Sequence, residues 1–446
     1  MTEPSVPEDL LRTLAPQVLG AVVRRYGHLE LAEEALQEAA LRAVERWPRD
    51  GLPDDPRAWL IRVTSRVLID QLRSETARRR REERTALADR GPAEPRSAGA
   101  AQRAGGDAPT ATAAWADQAA DPQDDSLLVL FLCCHPSLTD AARIALTLRA
   151  VGGLTTAEIA SALLLPEATV GQRITRAKRT LRGEPLRRPG PDDLPGRLRV
   201  VLHVLYLVFT EGHTASGGDD LQRVDLAEEA IRLARLAHAA LPEDEEVGGL
   251  LALMLLTHAR RGARVDADGL PVALEDQDRA RWDAAAIAEG AGLLEGILRR
   301  GGPIGPYQVQ AAIATLHDEA PTADRTDWRQ ILGLYELLES LDPDPVVTLN
   351  RTVAVARVHG PAAGLRLLDT VAADRRLAGH RRLDVVRGHL LAEVGDRDGA
   401  VAALRRAAAS STNSPERRYL LARAARLADP VVPAATRERT AGRRQR

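Results

Sequence analysis

The side chains best suited to chemistry in this chain are arginines grouped on one short segment. Four polar residues share one side of a predicted helix: Gln172, Arg173, Arg176 and Arg179. An apolar stripe follows its other side at helical spacing: Val170, Ile174, Ala177 and Leu181. Guanidinium groups suit phosphate oxygens and guanine edges, so this helix is predicted to enter a DNA major groove. The alternative is a solvated basic helix in an ordinary bundle.

The segment before this helix supports the DNA-binding interpretation. Thr155 and Glu158 have the T-x-x-E spacing of a capping box, which predicts the start of a shorter helix. Pro166 then marks a turn between the two helices. The pattern is that of a helix–turn–helix whose second helix carries the arginines.

Composition sets the framework for these helices. At 446 residues, with 44% hydrophobic and only 3% aromatic residues, the chain is expected to form two or three all-α domains with Leu, Ala and Val cores. The net charge of −2 means that any nucleic-acid surface is local. We find neither a signal peptide nor an apolar run of 18 residues, so we expect a cytoplasmic protein with no membrane partner.

Periodicity and composition divide the chain into five segments. They are a helical domain at 5–84, a flexible linker at 85–125, a helical domain at 126–183, a long helical region at 194–428 and a disordered tail at 430–446.

The region 194–428 contains a degenerate repeat. Gly360 and Gly364 recur 35 residues later as Gly395 and Gly399, each pair followed by an Ala/Leu helix. A period near 34 is typical of tetratricopeptide-type helical pairs. A non-repeating α-bundle is the alternative.

Three segments in this order resemble a bacterial RNA polymerase sigma factor of the extracytoplasmic-function type, over residues 10–183. Residues 32–48 (AEEALQEAALRAVERWP) resemble its core-binding helix, and residues 56–73 (PRAWLIRVTSRVLIDQLR) resemble the segment that melts and reads the −10 element. Residues 154–182 resemble the region that reads the −35 element. Residues 205–216 (LYLVFTEGHTAS) and the repeats behind them are similar to the C-terminal extension of one sigma subgroup.

The resemblance implies partners and site residues. Core RNA polymerase would be contacted by Glu34, Gln37 and Glu38. Promoter DNA would be contacted by Trp59, Arg62, Arg66 and Arg73 at the −10 element, and by Gln172, Arg173, Arg176 and Arg179 at the −35 element. Trp59 has a second interpretation, as a core residue. Many family members have Asn where this chain has Arg66, and Arg offers only donors, which changes the base that it can read.

The implied function is promoter-directed transcription initiation, with the C-terminal repeats as a regulatory or docking surface for a protein or peptide. The rival class is a helix–turn–helix operator-binding regulator with a helical-repeat sensor, which leaves the features of residues 30–84 without a role.

Two further clusters contain residue types that could form a chemical site. Cys133-Cys134-His135 lacks the ligand spacing of a zinc site, so we predict no metal. Four polar residues near the start of the extension could be arranged for catalysis, but their spacing favours a structural turn: Glu211, His213, Thr214 and Ser216. No phosphate loop, dinucleotide fingerprint or nucleophile motif is found, so we expect neither an enzyme nor a cofactor.

Overall fold

The structure is a computed structural model that describes residues 8–88, 122–152, 154–163, 165–181, 189–190, 192–377 and 381–429. The all-α prediction is confirmed, because within these ranges only two strands of two residues each accompany the helices. Most of the predicted linker (89–121) and the predicted tail (430–446) lie outside the described residues. No described helix is both long and apolar enough to cross a lipid bilayer.

The contacts divide the chain into two compact units, Met1–Val208 with Arg232–Pro242, and Phe209–Ile231 with Glu243–Arg446. The helices that begin in the first unit are α1 Glu8–Tyr26, α2 Leu29–Asp50, α3 Pro56–Ala88, α4 Pro122–Cys133, α5 Asp140–Ala150, α6 Thr156–Leu163, α7 Glu167–Leu181 and α8 Leu194–His213. The helix α9, Val224–Ala240, begins in the second unit and ends in the first.

The remaining helices belong to the second unit. They are α10 Glu245–Ala259, α11 Ala284–Arg300, α12 Pro306–Glu319, α13 Trp328–Leu341, α14 Pro345–His359, α15 Pro361–Ala372, α16 Arg381–Val394, α17 Arg397–Ser410 and α18 Ser414–Ala428. Short 3₁₀ helices occur at Arg261–Ala263, Leu274–Asp276, Arg279–Arg281, Ala323–Arg325 and Arg375–Leu377. The strands β1 Gly217–Gly218 and β2 Thr412–Asn413 pair in parallel, with Gly217 opposite Thr412.

The first unit extends further into the C-terminal region than the sequence suggested. The expected boundary falls near residue 190, yet the start of α8 and the second half of α9 group with the N-terminal helices. The Arg197 guanidinium donates to the Phe131 carbonyl at 2.7 Å, and Arg232 donates to the Val151 carbonyl at 3.2 Å. These carbonyls lie at the C-terminal ends of α4 and α5, where a positive charge interacts favourably with the helix dipole.

Local sequence explains the helices that carry the predicted site arginines. α6 begins directly after Thr155, as predicted, while the Glu158 side chain lies outside the described part. The predicted stripe of α7 is buried against α5 and α6. The turn between α6 and α7 is fixed by Pro166, whose carbonyl accepts the first backbone hydrogen bonds of α7. α3 continues to Ala88, four residues past the expected end of the first domain.

The second unit contains the predicted helical repeats. Gly360 precedes α15 and Gly395 precedes α17, and both adopt a left-handed φ of +88° that favours glycine. Their 35-residue separation is therefore a structural period, in which α14 pairs with α15 and α16 with α17. α10 is buried along most of its length and packs against both α11 and α12.

Candidate functional site

The outer face of α2 mixes acidic, amide and apolar side chains. Glu34 and Gln37 are exposed, and Glu38 is half-buried and ion-paired with Arg42 one turn later. Leu41 and Val44 continue the same face and are 66% and 50% exposed. The spacing of residues 34, 37, 41 and 44 places them in one row along the helix. Leu41 and Val44 are neighbours on the helix and give this face apolar surface that a partner could bury.

The opposite face of α2 makes the core of the N-terminal helices. Its buried residues recur at helical spacing: Ala32, Ala35, Leu36, Ala39, Ala43 and Trp47. Trp47 meets Trp59 of α3 edge-on, with ring centroids 5.5 Å apart and planes at 65°. Trp59 is half-buried, so one part of its indole packs in the core and the rest faces solvent.

Three arginines line the exposed face of α3. Arg62, Arg66 and Arg73 all lie on the surface, at positions i, i+4 and i+11 of the helix. Arg73 lies 3.9 Å from Asp70, in an exposed pair that contributes little to stability. Leu60 and Leu68 are buried on the other side and fix the rotation of the helix. Guanidinium donors are thus presented in a row to any anionic partner.

The second arginine row lies on α7. Gln172, Arg176 and Arg179 are exposed, whereas Arg173 is half-buried. Lys178 does not join this row, because its ammonium lies 2.7 Å from the Glu33 carboxylate of α2. The described part of the chain therefore carries two separate basic rows, one on α3 and one on α7.

Two buried carboxylates join the N-terminal helices to the helix–turn–helix. Glu33 of α2 lies 3.1 Å from Arg149 of α5, in addition to Lys178. Asp125 of α4 lies 2.6 Å from Arg24 and 3.2 Å from Arg57. The sequence alone does not reveal these clusters, because the cations come from helices that are distant in the chain. Glu33 lies one turn from buried Leu29 and Leu36, whereas Glu34 lies on the far side of α2.

The polar cluster at 211–216 forms a structural turn. Glu211 accepts hydrogen bonds from the Ser216 amide at 2.9 Å and from its hydroxyl at 3.1 Å. Arg264 donates to the His213 carbonyl and to the Thr214 hydroxyl. Burial holds the pKa of His213 well below its usual range, so this imidazole is neutral at physiological pH.

The end of the second unit completes this turn. The Asn413 amide donates to the Ala215 carbonyl at 3.3 Å and to the Asp220 carbonyl at 2.8 Å. The Thr412 hydroxyl donates to the Ser216 carbonyl at 2.6 Å. The start and the end of the second unit are therefore joined by hydrogen bonds from Thr412 and Asn413 to the backbone of this turn.

The two cysteines are part of the buried core. Cys133 and Cys134 are buried free thiols, and burial raises the pKa of Cys134 to about 12. His135 bonds to Ser137 through Nδ1 at 2.6 Å. Among the described residues, no group of three or more His, Cys, Asp or Glu side chains is arranged to hold a metal ion.

Comparisons with known proteins agree with this geometry. Residues 10–78 match the family described as Sigma-70 region 2, and residues 128–181 match Sigma-70, region 4. Residues 197–298 match a family of unknown function, DUF6596. No solved structure matches the chain.

Two relatives are informative. An uncharacterized protein of Rhizobium meliloti (strain 1021) is 41% identical over 422 residues, which cover 94% of this chain and 95% of that protein. The probable ECF RNA polymerase sigma factor SigI of Mycobacterium tuberculosis (strain CDC 1551 / Oshkosh) is 30% identical over 158 residues. That match covers 35% of this chain and 48% of SigI.

The two arginine rows thus lie on the regions that define a class of transcription initiation factors. The chain carries both sigma-70 regions and is similar to a probable sigma factor of the extracytoplasmic-function type, and the match to DUF6596 in its helical C-terminal extension is consistent with the subgroup that the sequence predicts. Sigma factors are not enzymes but act in transcription initiation.

Proposed function

We propose that this chain binds core RNA polymerase through the outer face of α2 and directs it to promoters through the arginines of α3 and α7. The observation that carries this proposal is the presence of two separate basic rows on region 2 and region 4, together with an exposed row of polar and apolar side chains on α2. The name of SigI supports the polymerase as partner. The site of action would be the cytoplasm.

The polymerase contact would use more than the three polar residues predicted from the sequence. Glu34 and Gln37 supply polar recognition, and Glu38 must exchange Arg42 for a basic group of the partner. Leu41 and Val44 supply apolar surface at the centre of the row. A mixed surface suits a specific contact, because apolar anchors give affinity and charges set orientation.

The −10 contact would be made by the exposed face of α3. Arg62, Arg66 and Arg73 neutralise phosphates or donate to base acceptors. The outward part of the Trp59 indole is available for stacking on a base, while its inner edge stays against Trp47. An arginine at position 66 donates only, so bases with acceptor edges are favoured there.

The −35 contact would be made by α7 in the major groove. Gln172, Arg176 and Arg179 face outward, and half-buried Arg173 lies beside them. A bidentate arginine–guanine pair is worth about 1–3 kcal/mol of discrimination. Each row alone neutralises few phosphates, so neither is expected to bind promoters strongly without the polymerase. Once the polymerase holds both, the second contact becomes intramolecular and its effective concentration rises.

The C-terminal helices would control this activity. Stacked helical pairs such as α14–α17 expose a continuous surface that suits a protein or peptide. The first helices of the extension also touch region 4, through Arg197 and Arg232. The chain therefore connects the repeats covalently to helices that contact region 4.

The decisive test mixes the purified chain with core polymerase and a promoter library. Co-elution with the polymerase and defined transcript starts would support the proposal. An operator-binding regulator would instead shift duplex DNA by itself and leave the polymerase unchanged. Removing residues 243–446 in the same assay tests control by the extension, because unchanged transcription would show that these repeats have no part in it.

A further inference from the structure

A group of largely buried charged side chains lies in the second unit, apart from every residue used in the proposed function. We call it the arginine cluster, and it consists of Arg260, Arg264, Arg279, Trp282 and Asp318. Arg260 is only 12% exposed, and its Nε lies 3.5 Å from the fully buried carboxylate of Asp318. The guanidinium carbons of Arg260 and Arg279 lie 5.9 and 4.3 Å from the centroid of the Trp282 ring. Burial, followed by the nearby charge of Arg260, lowers the pKa of Arg264 to about 10.

Two arginines of the cluster donate to neutral oxygens near helix ends. Arg264 donates to the carbonyl of His213, the last residue of α8, and to the Thr214 hydroxyl. Arg279 donates to the carbonyl of His317, in the last turn of α12, at 2.6 Å. The same helix ends therefore hold both guanidiniums in position without supplying a carboxylate.

Positive charge exceeds negative charge in the arginine cluster. Among the described residues, its three guanidiniums share one nearby carboxylate, that of Asp318. The helix ends at His213 and His317 each contribute about half a negative charge, so about one positive charge remains uncompensated. A buried charge without a counter-ion costs solvation free energy. The cluster is therefore suited to an anion.

The carboxylate of Asp318 sets a second requirement for that anion. Within the described part of the chain, no group donates a hydrogen bond to either of its oxygens, and the contact with Arg260 is an ion pair without hydrogen-bond geometry. Burial raises the pKa of Asp318 to about 6, so above neutral pH the group is ionised and only accepts hydrogen bonds. A buried acceptor without a donor is costly. The anion must therefore also bring a hydrogen-bond donor.

Hydrogen phosphate meets both requirements. Inorganic phosphate near pH 8 is a dianion that keeps one P–O–H group, whereas sulfate is a dianion of the same shape without a proton. The dianion of a phosphate monoester also lacks this proton. Planar guanidinium forks suit the oxygens of such anions, and charge-assisted hydrogen bonds to them are strong. The P–O–H group distinguishes inorganic phosphate from both other anions at a carboxylate such as Asp318.

We propose that the arginine cluster is a binding site for inorganic phosphate, with Arg260 and Arg264 donating to its oxygens and Asp318 accepting a hydrogen bond from its hydroxyl. Bound phosphate would join the ends of α8, α10 and α12, and would stabilise the second unit by mass action. This inference goes beyond the proposed function, because it needs neither polymerase nor DNA.

Calorimetric titration of the full chain at pH 8 tests the site. The probes are inorganic phosphate, sulfate and methyl phosphate, each at the same ionic strength. We expect one phosphate bound per chain, with sulfate and methyl phosphate at least about tenfold weaker, because each leaves the Asp318 carboxylate without a donor.

Two substitutions separate the donor requirement from the charge requirement. In Asp318→Asn the amide can donate to any oxyanion, so sulfate should bind about as well as phosphate. Arg264→Gln removes a charged donor and should weaken phosphate binding at least about tenfold. Arg299→Gln on α11 is the matched control, because this arginine is 69% exposed and pairs with Glu295, and it should change neither result.

A further variant guards against a folding defect in Arg264→Gln. Arg260→Lys keeps the positive charge beside Asp318 but loses the planar fork, so it should also weaken phosphate binding. Circular dichroism checks the helical content of each variant. The proposal is overturned if millimolar phosphate gives no saturable binding, or if the natural chain binds sulfate or methyl phosphate equally well. Unchanged phosphate affinity in both folded arginine variants would also overturn it. Transcription enters none of these measurements, so their failure is distinct from a failure of the proposed function.

Discussion

Replacing Leu41 by alanine removes apolar surface from the centre of the proposed polymerase contact. The side chain is 66% exposed in the free chain, so about two thirds of its burial remains to be gained on binding. Full burial of a leucine is worth about 1.5–3 kcal/mol, which leaves about 1–2 kcal/mol for the complex. Since about 1.4 kcal/mol corresponds to a tenfold change in Kd, the Kd for core polymerase should rise roughly 5–30-fold.

The assay is equilibrium binding of the labelled chain to core polymerase, with thermal unfolding as a companion. The unfolding midpoint should not fall, because Leu41 packs little in the free chain and alanine favours the helix. Leu421→Ala on α18 removes a side chain that is 48% exposed in the repeats, and it should leave the Kd unchanged. If the Kd values of Leu41→Ala and Val44→Ala both stayed within twofold of wild type, the outer face of α2 would not be the polymerase contact.

Further predictions concern DNA affinity and pH. Arg176→Ala should weaken promoter binding by the polymerase complex, and a lost phosphate contact would reduce the slope of log affinity against log salt by about 1. Burial lowers the pKa of His258 and of His317 to about 4 and raises that of Asp318 to about 6. Below pH 6.5 these histidines become protonated in the unfolded chain but stay neutral in the folded chain. They therefore lower the free energy of unfolding as the pH falls from 6.5 to 4. Asp318 acts oppositely, since its stabilisation is present at low pH and lost as pH rises through about 6. Two histidines outweigh one aspartate, so thermal unfolding of the full chain should shift to lower temperature between pH 7 and 5, and an unchanged or higher midpoint would contradict this.

The helices could be predicted because their signals are local. The stripe of Val170, Ile174, Ala177 and Leu181 needs only the 3.6-residue period, and all four are buried as expected. The glycines at 360 and 395 mark the repeat through their own backbone conformation. These features depend only on residues that are near in the chain, so they can be predicted from the sequence.

The contacts between domains could not be predicted in this way. Glu33 lies one turn from buried Leu29 and Leu36, so its side of α2 is readable, but its partners Arg149 and Lys178 lie on helices far away in the chain. Asp125 falls in the predicted flexible linker, because its neighbours lack periodicity, yet it lies in α4 between two arginines. Leu41 and Val44 interrupt the polar face of α2 in the sequence itself, and this interruption is the signal that could have added them to the three predicted polar residues.

In the proposed function, one chain holds the polymerase by α2 and reads DNA by α3 and α7. Run-off transcription by core polymerase tests it most directly, with the full chain compared with its Glu34→Lys/Glu38→Lys variant on the same promoter templates. We predict defined starts with the full chain, and their loss in the variant together with its polymerase binding. Undiminished transcription by the charge-reversed chain, or no promoter-specific starts with the natural one, would contradict the account.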